Sequence, residues 1–256
     1  MGLTDGKKDK INSGGIIMNT INFESKCTKV VAHRGLSGIE KENTNAAFIA
    51  AGNRSYFGIE TDVHRTLDGK FVCFHDDTTG RVAIDNMTIE ETTFDTLRKL
   101  LLTDRDGIKG REDLKIPTLK EYISTCKRYE KIAVLELKNE FDKEDIEKIC
   151  EEIKDLEYLD NVIFISFAFN NLVKLREIYP NQKVQFLTSV YFNELPAILI
   201  KHKFDLDILY TELNEERIKM LHENGIEINC WTCDDKEWGE NLANWGIDYI
   251  TSNILE

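Results

Sequence analysis

Proline is scarce in this chain: Pro117, Pro180 and Pro196 are the only three in 256 residues. No proline-rich linker divides it, and past residue 28 no Gly/Ser/Pro-rich stretch interrupts the alternation of apolar runs and helical patterns, so one domain is expected. A hydrophobic content of 41% is enough for a large core. Basic residues are also in short supply, 33 Lys and Arg against 46 Asp and Glu, which leaves a net charge of −13. That balance excludes a sequence-independent grip on nucleic acid and opposes stable association with an anionic membrane. An anionic substrate would have to be held by local cations against this long-range repulsion. Long apolar runs are missing: no segment approaches the ~18 residues of a membrane span, and the N-terminus has no signal-peptide core. The six cysteines lack the density of a disulfide-stapled secreted domain, so a reducing, cytoplasmic setting is expected. Cys230-Trp231-Thr232-Cys233 matches C-x-x-C but has no second pair and no His partner; it reads as buried structural thiols.

What the chain does contain is a regular alternation. Short β-branched runs at 29–33, 58–63, 131–137, 161–166, 183–188, 206–210, 226–231 and 247–250 predict eight strands. Helical patterns at 44–51, 119–129, 143–156, 170–179, 195–202, 215–224 and 236–245 lie between most of them, with Thr118 as a helix cap and Asn224-Gly225 and Trp245-Gly246 as helix stops. The α/β class follows, as a (β/α)₈ TIM barrel, with a doubly wound open sheet as the alternative. Thr66-Leu67-Asp68-Gly69 breaks the rhythm: a turn signal directly after one strand and just before Phe71 to Phe74 predicts a β-hairpin. Residues 77–117 are polar, with weak helical signals near 88–101, and read as a small insertion after the His75-Asp76 hairpin strand. Residues 1–25 read as a leader or a disordered tail, and 26–256 as the barrel. Nothing in the sequence fixes the oligomeric state.

The chemistry gathers at strand ends. His33-Arg34-Gly35 closes the first apolar run, Glu60-Thr61-Asp62 lies on the second and His75-Asp76 ends the hairpin strand. Glu60 and Asp62, two apart on a strand, share a face, and Glu136 in Leu135-Glu136-Leu137-Lys138 is a third carboxylate at an otherwise apolar strand end. Carboxylate oxygens without cysteine ligands favour a hard cation, Mg²⁺ or Ca²⁺. His33 and His75 suit a general acid and base pair, while Arg34 and Lys138 are the natural contacts for an anion. Trp231 sits at mouth level and is either pocket wall or core. The set implies metal-assisted cleavage at a phosphate centre.

These residues resemble the glycerophosphodiester phosphodiesterase family. The match runs through His33-Arg34-Gly35, Glu42-Asn43-Thr44, Glu60-Thr61-Asp62-Val63, Thr66-Leu67-Asp68-Gly69, His75-Asp76, Ile116-Pro117-Thr118-Leu119, Leu135-Glu136-Leu137-Lys138, Ser166-Phe167, Trp231-Thr232 and Ile250-Thr251. The resemblance implies a TIM barrel that hydrolyses a small-molecule glycerophosphodiester to sn-glycerol 3-phosphate and an alcohol. It further implies His33 and His75 as acid and base, Glu60, Asp62 and Glu136 as ligands of one divalent cation, and Arg34 and Lys138 at the phosphate. One departure stands out: Lys41 replaces the proline usual before Glu-Asn-Thr, so the loop into the first helix loses a stiffening residue. Other readings are a lysophospholipase D or sphingomyelinase D-like enzyme forming a cyclic phosphate, and a catalytically inactive binding barrel.

Overall fold

The computed structural model describes residues 19–107 and 111–256. The first half carries β1 (Lys29–Ala32), α1 (Asn45–Gly52), β2 (Gly58–Arg65), β3 (Phe71–Cys73), α2 (Phe94–Leu97), α3 (Leu119–Arg128) and β4 (Ile132–Leu137). The second half continues with α4 (Lys143–Asp155), β5 (Val162–Ser166), α5 (Phe169–Ile178), β6 (Val184–Thr188), α6 (Leu195–His202) and β7 (Asp205–Leu209). It ends with α7 (Glu215–Glu223), β8 (Ile228–Trp231), α8 (Lys236–Asn244) and β9 (Tyr249–Ser252). Eight parallel strands form a ring in the order β1, β9, β8, β7, β6, β5, β4, β2, and the pairing of β1 with β2 closes it. This is the (β/α)₈ barrel, and closure rules out the open sheet. The ninth strand, β3, runs antiparallel to β2 as the predicted hairpin arm, its turn using Gly69 at φ 75°.

Strand alternation divides the core in two. On β4, Ala133, Leu135 and Leu137 pack outward under the helices, whereas Val134 points into the barrel beside Val31, Ile163, Ile165 and Leu187. Glu136 has the parity of Val134 and therefore faces the interior, one layer nearer the C-terminal end of the strands. The same parity places Glu60 and Asp62 inside. Helix ends match their sequence signals: Thr118 and Glu121 form a reciprocal capping box on α3, and Gly225 and Gly246 take the left-handed conformation after α7 and α8.

Two expectations change. The tail ends earlier than residue 25: the Ile21 amide donates to the Ile254 carbonyl (2.9 Å), the Glu256 amide donates to the Ile21 carbonyl (3.0 Å), and Phe23 packs on the main core. These backbone and apolar contacts tie the segment to the barrel; residues 1–18, the rest of the expected leader or tail, lie outside the described residues. In the insertion, the helical signal over 88–101 yields only the four-residue α2 and, upstream, a 3₁₀ turn at Thr79–Arg81. The insertion instead holds itself together with a small core of its own, including Val82, Ile89, Leu97, Leu102 and Leu114, packed against Val72 and Phe74 of the hairpin.

Candidate active site

The chain turns sharply after β1. Arg34 and Gly35 both have positive φ, 54° and 75°, and a Cβ at Gly35 would lie 2.7 Å from Ala47, so glycine is required there. The turn brings the Arg34 amide to Glu60 Oε2 (2.8 Å) and the Gly35 amide to the Glu60 carbonyl (3.2 Å). The following residues of the loop each have a task. Glu42 accepts from the Arg34 guanidinium (2.8 Å), Asn43 donates to Asp62 Oδ2 (2.7 Å), and Thr44 caps α1. Asn43, buried and at φ 51°, also accepts from Thr61, which fixes its amide toward Asp62.

Glu60, Asp62 and Glu136 converge: each offers a carboxylate oxygen, and these oxygens lie within 4.8 Å of one another. Exposures of 2%, 1% and 6% leave water little part in separating their charges. Burial, then the charges of Asp62 and Glu136, push Glu60 well above the ordinary carboxylate range; burial and then Asp62 push Glu136 to about 7. Burial would raise Asp62 as well, but Lys138 and Arg34 outweigh it and hold that carboxyl far below its usual value. The Lys138 ammonium lies 3.4 Å from Asp62 Oδ1 and 3.0 Å from Glu136 Oε1, while Arg34 Nε lies 3.7 Å from Asp62 Oδ2. Neither Arg34 Nε nor Glu136 Oε1 has an aligned hydrogen-bond partner.

The donor set fits a hard divalent cation. Three carboxylates against two cationic side chains leave a formal local charge of −1 when all are ionised. A divalent ion would turn this to +1, the complement of a singly charged phosphodiester.

Both imidazoles line the pocket beside this cluster. His33 Nδ1 lies 2.8 Å from Asn253 Oδ1. The Asn253 amide nitrogen donates to Asp234 Oδ2 (2.7 Å) and its oxygen accepts from Ser37 (2.6 Å), so its orientation is fixed and His33 Nδ1 must be the donor. His33 Nε2 is then the unprotonated nitrogen. Burial, reinforced by Arg34, lowers His33 to about 4, so the ring is neutral at physiological pH. His75 differs: its Nδ1 lies 2.6 Å from Asp76 Oδ1, a carboxylate partner that favours the imidazolium. Burial nevertheless lowers its pKa, with Arg34 and Lys138 adding to the effect against Asp62 and Asp76. His64 is fully buried between Glu90 and the His75 carbonyl, 3.3 Å from each.

The opposite wall is aromatic and apolar. Trp231 packs edge-on against Phe167, ring centroids 5.6 Å apart, above Ile165 and Leu187. Trp231 is therefore pocket wall. Asp207 also lines the pocket, fully buried, with burial and then the Glu136 charge pushing its carboxyl well up. All eight residues singled out in the sequence come together here. Four that sequence reasoning left without a role are Asn43, Asp207, Asn253 and Glu42. Strand parity was a usable signal for Asp207, which is in register with Leu187. Cys230 and Cys233 are both buried free thiols, as are all the others except exposed Cys27.

A closed (β/α)₈ barrel that gathers two imidazoles and an acidic trio able to hold a metal ion at the ends of β1, β2, β3 and β4 defines a hydrolase type of site. The chain belongs to the Glycerophosphoryl diester phosphodiesterase family, whose model matches residues 33–255. Glycerophosphodiester phosphodiesterase of Caldanaerobacter subterraneus subsp. tengcongensis is 29% identical over 232 residues, covering 90% of this chain and 95% of that protein. Glycerophosphodiester phosphodiesterase 1 of Mus musculus is 31% identical over 264 residues, covering 88% and 78%. Among solved structures, an Oleispira antarctica phosphodiesterase in complex with the product sn-glycerol-3-phosphate superposes with a TM-score of 0.76 at 25% identity, covering 91% of this chain and 96% of that one. Glycerophosphodiester phosphodiesterase from Thermotoga maritima gives 0.72 at 28% identity, with 88% and 94% covered.

Proposed function

We propose that this protein hydrolyses small glycerophosphodiesters to sn-glycerol 3-phosphate and an alcohol, with a divalent cation, Mg²⁺ or Ca²⁺, held by Glu60, Asp62 and Glu136. The observation that carries this reading is the convergence of three buried carboxylate oxygens within 4.8 Å, flanked by His33 and His75 in one pocket. When bound, the cation supplies Lewis-acid stabilisation of charge on the phosphoryl oxygens. Arg34 and Lys138 add positive charge on the same side, and Arg34 can offer planar donors to a phosphate.

In this reading the hydrogen bonding supports one division of the proton transfers. His33, neutral with Nε2 free, takes a proton from the attacking hydroxyl. His75, paired through Nδ1 with Asp76, gives the Nε2 proton to the departing alkoxide. The P–O bond to the nucleophile forms as the P–O bond to the alcohol breaks, and one water is consumed overall. Trp231 and Phe167 wall the side of the pocket that receives the alcohol group. Six unpaired cysteines suit a reducing, cytoplasmic setting, and among the described residues no helix is long and apolar enough to cross a membrane.

A second reading rests on exposed apolar residues after β5 and β6: Phe167, Val190 and Phe192 are 45%, 57% and 37% exposed at the catalytic end. Such a rim could receive the single acyl chain of a lysophospholipid. The test is release of sn-glycerol 3-phosphate from glycerophosphocholine and glycerophosphoethanolamine with Mg²⁺, Ca²⁺ or EDTA, beside choline release from lysophosphatidylcholine. Metal-dependent sn-glycerol 3-phosphate supports the main reading. Choline release from the lysolipid alone favours the second.

A further inference from the structure

We infer that Arg81, supplied by the insertion, is a positioning residue that holds His75 and Arg34 in one arrangement, acting on the first through Asp76 and on the second through Glu42. The inference rests on the roles given to His75 and Arg34 above, and it goes beyond them to a residue that touches neither the trio nor the substrate.

The geometry is a continuous chain of ion pairs. Arg81 Nε donates to Asp76 Oδ2 (2.6 Å), and Asp76 Oδ1 in turn is 2.6 Å from His75 Nδ1. The same guanidinium donates through its two terminal nitrogens to both oxygens of Glu42, at 2.8 Å each, and Glu42 Oε1 accepts from Arg34 at 2.8 Å. One planar fork thus spans two carboxylates, each of which holds one functional side chain. Lysine, a point charge, could not make both bidentate contacts. Arg81 itself is fixed by its backbone: Thr79 donates to the Asp85 carbonyl and the Gly80 amide donates to Asn86 Oδ1 (3.0 Å), pinning the 3₁₀ turn.

The rest of the insertion grips the same loop. Arg111 pairs with Glu40 (2.6 Å) and Arg105 with the Gly38 carbonyl, so three arginines of the insertion hold the segment between His33 and Thr44. Lys41 stands in that segment where proline would have stiffened it, and these contacts supply restraint from outside the loop. Arg81 is half-exposed, so its ion pairs add little to global stability. Its effect falls on geometry, where a shift of about 1 Å can cost on the order of 100-fold in rate.

The experiment compares wild type, Arg81→Gln, Arg81→Lys, Glu42→Gln and Asp76→Asn in glycerophosphocholine hydrolysis at saturating Mg²⁺, reading kcat, KM and Tm. We expect Glu42→Gln to act mainly on KM and Asp76→Asn mainly on kcat. Arg81→Gln should combine them, with kcat down about 10- to 100-fold, KM up about threefold or more, and Tm within roughly 3 °C of wild type. Arg81→Lys should stay close to Arg81→Gln. Free guanidinium at sub-denaturing concentration should restore part of the activity of Arg81→Ala. The inference is overturned if Arg81→Gln keeps kcat and KM within about twofold of wild type. It is equally overturned if its loss only follows a fall in Tm and Arg81→Lys restores both. Wild type that releases no sn-glycerol 3-phosphate would instead defeat the proposed function.

Discussion

Asp62 and Glu136 stand opposite each other on neighbouring parallel strands, and the Lys138 ammonium bridges them at 3.4 and 3.0 Å. With Glu60 beside them, one lysine cannot neutralise the group even with Arg34 nearby. Burial first, and this uncompensated charge second, push Glu60 and Glu136 up, which is the basis for the cation proposed above.

Stability should record that upward push. In protein stripped of divalent ions, Glu60 and Glu136 titrate above their unfolded value of 4.5, Glu136 at about 7. The folded state then holds protons that the unfolded chain releases, so stability falls as pH rises from about 4.5 through about 7. Mg²⁺ or Ca²⁺ should reverse the fall. At about 100 times its Kd a bound ion adds roughly 2.7 kcal/mol, which for a chain of this size is roughly 5–10 °C in Tm. Thermal melts with and without EDTA should show the larger metal increment at pH 8 and the smaller at pH 5.

The ion chain outside the trio has the opposite sign. Burial raises Glu42, but its hydrogen bonds and charge contacts with Arg81 and Arg34 overcome this and hold it at about 2, against 4.5 unfolded. Its stabilisation is therefore complete above 4.5 and lost as pH falls through about 2. Glu42→Gln should flatten that acid limb, measured by denaturant unfolding across the window.

Thiol chemistry separates structural from reactive cysteines. Cys27 is exposed and the other five are buried; burial pushes Cys126, Cys150 and Cys233 up to about 12. An aromatic disulfide reagent should titrate one thiol in the native protein and six in denaturant. A second fast native thiol from Cys230 or Cys233 would contradict the structural reading of that pair.

Trp231→Ala tests the pocket wall. The indole is half-buried and packs edge-on with Phe167, so its loss should raise KM about 3- to 10-fold while kcat changes less. Steady-state kinetics on glycerophosphocholine measures both. A fall in kcat alone would place Trp231 outside the alcohol pocket.

Much of this was legible because its signals are local. Glu60, Asp62 and Glu136 followed from strand parity, and the hairpin followed from a turn that needs Gly69. The eight barrel strands came from apolar runs that the structure keeps within a residue or two at most ends. The insertion was not legible in the same way: Ile89, Leu102 and Leu114 form its core from positions with no helical or strand period. Asn253 fixes the tautomer of His33 from 220 positions away, and Arg81 reaches Glu42 across 39. Such partners share no local pattern and become visible only when the ring closes β1 against β9 and the insertion folds over the first loop.

The most direct measurement follows sn-glycerol 3-phosphate release at saturating Mg²⁺ by wild type, His33→Ala and His75→Ala, with metal affinity measured calorimetrically on each. Loss of at least about 100-fold in rate for both variants, with metal affinity within about threefold of wild type, is the result expected of a two-imidazole acid and base mechanism beside a carboxylate-held ion. Either variant retaining near wild-type rate, or wild type working equally well in EDTA, would contradict it.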